Sequence, residues 1–144
     1  MKKIFINILL ILSFAFSAHV SQELSLEVAR NIFSKYHESR NLDNFSIKKI
    51  NLITDNESIL IYIYQLNPTG FIMVPADDKA TPVLAYGFDS NFKLENMPGN
   101  LIDVVNAYKQ DIIELKSMNQ ERSIEVQEEW KVGSIPVHVP EKIH

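Results

Sequence analysis

Two rhythms of apolar and polar positions run along the chain. Between residues 25 and 41, Val28, Ala29, Ile32, Phe33 and Tyr36 recur at spacings of one, three and four, the stripe of a helix that packs by one face. Ser25 stands where a side-chain oxygen can cap a helix starting at Leu26, and the pattern fades near residues 39–41. From residue 45 the period changes. "FSIKKINLI" (45–53) reads as a strand of mixed polarity, and "TDNES" (54–58) as a turn cluster. "ILIYIYQL" (59–66) is β-branched and aromatic with apolar residues on both faces, as in a strand covered from both sides. "NPTG" (67–70) signals a hairpin turn, "FIMV" (71–74) the next strand. "PVLAYGF" (82–88) reads as one more strand, with Pro82 at its first position, where a missing N–H costs least.

The helical rhythm then returns. After a loop, "DSNFKLENMPGN" (89–100), the residues Leu101, Val104, Val105, Tyr108, Ile112 and Leu115 form a second apolar face. Asn100 can cap this helix, with Asp103 at its third position near the positive helix end. Residues 119–144 are polar with no lasting period, a tail with one short extended piece around 124–126. The order predicts an α+β domain over residues 19–118: an antiparallel sheet of three to four strands flanked by an N-terminal and a C-terminal helix.

Residues 1–18, "MKKIFINILLILSFAFSA", stand apart: Lys2 and Lys3, an apolar stretch from Ile4 to Phe16, then small residues. This is the pattern of a secretory signal peptide, and the run is short for a membrane span of roughly 20 residues. Its removal would leave 126 of the 144 residues, enough for one core, and take away two lysines, moving the formal charge from −4 to about −6. An acidic chain without a basic cluster predicts no nucleic-acid partner and, after signal removal, no membrane partner. The expected location is secreted or periplasmic. The chain has no cysteine, so it cannot perform thiolate catalysis or build a thiolate metal site.

Candidate chemistry is sparse. Asp77 and Asp78 are adjacent acids, but they lie between two short strands, where Asp is a preferred turn residue. His19, His37, His138 and His144 show no metal-ligand spacing, and no nucleophile elbow or phosphate loop is present. No cofactor, no metal and no enzymatic activity are expected. Trp130 is either an interface anchor or an aromatic that packs back on its own domain. By these residues alone the chain is a non-catalytic binding module.

One stretch says more. "GFIMVPADDKATPVLAYGFDSNF" (70–92) resembles the streptopain-type (C10) cysteine protease propeptides and the stand-alone inhibitors related to them. The matching positions are Gly70 and Phe71, three apolar residues, Ala76-Asp77-Asp78, Lys79, Pro82 and Tyr86, with Pro75 where the family usually has Ser. The resemblance extends over residues 24–116. It implies that Gly70, Phe71, Ala76, Asp77, Asp78, Pro82 and Tyr86 are structural. It further implies a streptopain-like cysteine protease as partner, blocked non-covalently at its cleft. The alternatives are a truncated zymogen remnant or a module that keeps the fold without inhibiting. In the family a loop before the last helix enters the cleft and an Asn there displaces the catalytic His. The matching segment here is Asn96, Met97, Pro98, Gly99 and Asn100, with Asn100 in the place of that Asn.

Overall fold

The computed structural model describes residues 19–38 and 41–131; the expected signal peptide, His138 and His144 lie outside them. The elements are α1 (Gln22–Tyr36), a short 3-10 turn (Leu42–Asn44), β1 (Ile47–Asp55), β2 (Ser58–Leu66), β3 (Phe71–Pro75), β4 (Ala85–Gly87), α2 (Gly99–Ser117) and α3 (Ile124–Trp130). The four strands form one antiparallel meander in the order β1-β2-β3-β4, the expected α+β arrangement with helices at both ends.

The sheet is covered on both faces, which accounts for the apolar character of β2. Tyr62, Tyr64 and Leu66 join Ile72 and Val74 of β3 against Ala29, Ile32 and Phe33 of α1. Ile61 and Ile63 join Phe71 and Met73 against Val105 and Ile112 of α2. Alternation along each strand therefore divides the side chains between two cores. The register sets Ile63 opposite Met73 and Ile72 opposite Tyr86. β1 is one of the two edge strands, with Lys48 and Lys49 exposed; lysines on an edge discourage pairing with another chain. The "TDNES" cluster closes the β1–β2 hairpin through Asn56 and Glu57, both at positive φ (45° and 69°), the geometry of a two-residue primed turn.

Four local expectations are corrected. α1 is capped by Ser21, whose side chain accepts from the Leu24 N–H, and it ends at Tyr36 rather than at 39–41. Ser25 lies inside the helix, fully buried, donating to the Gln22 carbonyl and hydrogen-bonded to the Tyr64 hydroxyl. A buried hydroxyl holds such partners more firmly than an exposed cap. β4 covers only 85–87; the chain from Ala76 to Leu84 bulges away, and Leu84 N–H makes the first bond back, to the Met73 carbonyl at 2.9 Å. α2 begins at Gly99, so Asn100 is not its cap and Asp103 falls beyond the first turn. Its stripe is narrower than expected: Val105 and Ile112 are buried, whereas Val104 is 36% exposed. Finally, residues 124–130 are helical rather than extended, with Ser123 accepting from the Val126 N–H.

Pro75 fits its strand. Ala76 N–H donates to the Leu60 carbonyl at 2.8 Å, so an N–H at residue 75 would point away from β2, towards a side where β4 does not reach. Trp130 packs back on its own domain: it is 8% exposed and its indole N–H donates to the Ala80 carbonyl at 2.8 Å.

Candidate functional site

Loop 89–98 crosses from the end of β4 to the start of α2, and its base is held at both ends. Phe92 is buried against Phe71, ring centroids 5.4 Å apart. The Phe92 carbonyl accepts a hydrogen bond from the Gln65 amide of β2. The Asn91 side-chain oxygen accepts from the Gly70 N–H at 3.3 Å. At the far end the Pro98 carbonyl accepts from the N–H groups of Leu101 and Ile102, at 3.0 and 3.1 Å, and so closes the first turn of α2. That turn is why the helix starts before Asn100: the prolyl residue preceding Gly99 already occupies the cap position.

Between these anchors the backbone is exposed. Leu94 and Met97 are half-buried against the α2-side core, while Lys93, Glu95, Asn96, Pro98, Gly99 and Asn100 stand in solvent. Asn96 adopts φ 57°, a left-handed conformation that asparagine tolerates better than most residues. A cavity of about 210 Å³ opens beneath the loop, with Phe71, Phe92, Met97, Pro98 and Leu101 among its lining. A Cβ added at Gly99 would meet nothing, so that glycine leaves the helix start open rather than filling a tight contact. The five residues expected to face a protease are thus gathered on one short, exposed segment.

The motif residues lie elsewhere, in the sheet and the turn beyond β3. Gly70 has φ +117° beside the backbone of Gly87. Phe71, Ala76, Pro82 and Tyr86 are buried, and Tyr86 stacks on Tyr36 with centroids 5.3 Å apart. The two aspartates do different things. Asp77 is buried, 3% exposed, and its carboxylate accepts from the Lys79 N–H at 2.9 Å, which tightens the turn. Its backbone bridges to His19, and Ala76 accepts from the Val20 N–H at 2.9 Å, so the turn also holds the start of the described chain. Asp78 pairs with Arg122 at 2.9 Å. The sequence offered no sign of that pair, whose members are 44 positions apart.

Partial burial pushes the Asp78 carboxyl above the usual carboxylate range; Arg122 and Lys79 oppose the shift, and neighbouring Asp77 adds to it. The folded protein therefore holds the Asp78 proton more tightly than the unfolded chain does. Between the ordinary Asp value and the raised one, stability falls as pH rises. The wild type should lose melting temperature relative to Asp78→Asn as pH climbs upward from the ordinary Asp value. Parallel melting curves across this range would show that the pair with Arg122 fully offsets the burial cost.

Among the described residues no group of His, Asp and Glu is arranged to hold a metal ion, and no helix is long and apolar enough to cross a membrane. What the fold presents is an antiparallel sheet covered on both faces, with an exposed loop fixed at its base. Residues 17–112 match the family model described as Spi protease inhibitor, and the chain belongs to that family. It is also similar to the thiol protease/hemagglutinin PrtT of Porphyromonas gingivalis, at 25% identity over 119 residues. That alignment covers 78% of this chain and 14% of the relative. No solved structure matches the chain.

Proposed function

We propose that the protein is an exported inhibitor, secreted or periplasmic, of a streptopain-type cysteine protease. It blocks the active-site cleft without covalent chemistry, by lodging the segment from Lys93 to Asn100 in it, and performs no catalysis itself. Asn96, Met97, Pro98, Gly99 and Asn100 make the contacts. The observation that carries this reading is the loop itself: exposed along its crest, yet fixed at its base by Phe92, Gln65, Asn91 and Pro98. A loop already held in one shape loses little conformational freedom on binding. The family to which the chain belongs supplies the class of partner.

A second reading has one observation in its favour. The relative is a thiol protease of which this chain spans only 14%, so the domain can equally be a propeptide-like segment that keeps the fold and has lost the inhibition.

The two readings separate in one assay. The purified protein is titrated into a C10-type thiol protease and, in parallel, into trypsin. The inhibitor reading expects reversible inhibition of the thiol protease at micromolar concentration or below, competitive with substrate, and untouched trypsin. Full thiol protease activity at saturating protein rejects it in favour of the second reading.

A further inference from the structure

A seven-residue helix does not hold itself together in water, since so short a segment cannot repay its nucleation cost. Yet α3 is formed, so something outside it supplies the stability. Its own burial is slight: Trp130 is its one buried side chain, Val126 is half-buried and Ile124 is 77% exposed. Trp130 and Val126 pack into the edge of the α1-side core, and two polar contacts anchor this segment to the turn between β3 and β4. The Trp130 indole donates to Ala80, and Arg122 pairs with Asp78. Gln127 donates to the Arg122 carbonyl at 3.2 Å, tying the helix to the strand of chain that precedes it.

The same turn grips α2. The Lys79 ammonium donates to the carbonyls of Leu115 and Met118, at 3.0 and 2.8 Å. Those carbonyls belong to the last turn of α2 and its cap, where the helix has no internal partners left and a cation is favoured. Three consecutive residues of one turn, Asp78, Lys79 and Ala80, therefore hold three successive points of the chain: Arg122, the end of α2, and Trp130.

We propose that residues 119–131 form a releasable strap, docked on the Asp78–Ala80 turn and coupled to the end of α2 through Lys79, which opens while the sheet and the two long helices stay folded. The strap adds one buried side chain, Trp130, and the half-buried Val126 to the α1-side core, and a partly exposed ion pair, whereas the sheet and the two long helices supply the rest of both cores; regions with so few buried contacts open well below the global transition. The ion pair fixes the strap's register more than its strength, because burying Asp78 costs much of what Arg122 returns. None of this depends on the inhibitor reading.

The chain's single tryptophan sits on the strap, so its release has a private signal. The full chain is titrated with urea while Trp130 fluorescence and far-UV circular dichroism are followed, and amide exchange is measured in native buffer. The fluorescence transition should precede the dichroism transition, and amides of α3 should exchange at least about tenfold faster than those of β2. Lys79→Met should move the first transition to lower urea and leave the second in place. Arg122→Ala should move it in the same direction, and serves alone if Lys79→Met does not fold. Coincident transitions with equal exchange in α3 and β2 would overturn the strap. A first transition that Lys79→Met leaves unmoved would overturn its coupling to α2.

Discussion

Gly70→Ala should lower the melting temperature by about 10 °C or more. At φ +117° the added Cβ would lie 3.0 Å from the Gly87 carbonyl oxygen and 3.3 Å from the Phe88 Cα. Both are backbone atoms of β4 and the residue after it, so no side chain can swing aside. A backbone conformation that suits glycine alone costs about 1–3 kcal/mol for other residues, and overpacking adds roughly 1–3 kcal/mol. Against a total stability of about 5–15 kcal/mol, and roughly 4 °C per kcal/mol for a domain of this size, the loss is large. It would not stay local. Gly70 accepts from the Leu66 N–H and donates to Asn91, so a shifted Gly70 also loosens the base of the exposed loop. Thr69→Ala, one residue earlier and half-buried, is the control and should melt within a few degrees of wild type. A Gly70→Ala protein that melts like the control would show that the turn accommodates a side chain.

The sheet was legible along the chain because its chemistry is local. The run from Ile59 to Leu66 is apolar on both faces, and it is apolar because α1 covers one face and α2 the other. The hairpin turns carried their own residues. What could not be read depended on partners far away. Ser21 and Ser25 are both plausible caps for α1, and the choice is made by Tyr64, 39 positions from Ser25. Residues 124–130 lack a helical stripe because only Trp130 is buried there, against Ala80, 50 positions away. Asn100 looked like a cap because asparagine favours that position, but the carbonyl of Pro98 closes the turn first. The candidate loop was legible only through its resemblance to the propeptides. Its base brings Asn91 and Phe92 together with Gln65 and with Gly70 and Phe71, contacts across more than 20 positions that no local pattern announces.

The start of α2 at Gly99 makes Asn100 a clean probe of the proposed contact. Its side chain is exposed within the first helical turn and caps nothing. Asn100→Ala should therefore not incur the cost of a lost cap, and alanine's better helix propensity should offset other losses to within about 0.7 kcal/mol. Asn100→Asp places a negative charge at the positive end of a helix, worth about 0.3–1 kcal/mol in favour of folding. The three proteins should melt within a few degrees of one another, given about 4 °C per kcal/mol. Inhibition should behave differently if the Asn100 amide works in the cleft. Both variants lose its N–H donors, and a buried hydrogen bond lost on one side costs about 1–3 kcal/mol. That corresponds to an inhibition constant raised roughly 5- to 150-fold, at tenfold per 1.4 kcal/mol. Because stability is matched, the change cannot be assigned to unfolding. Wild type must inhibit for the comparison to be made, so the inhibitor reading and the role of Asn100 fail separately. If wild type, Asn100→Ala and Asn100→Asp share one inhibition constant, Asn100 is not a contact, and the search moves to the crest from Asn96 to Gly99.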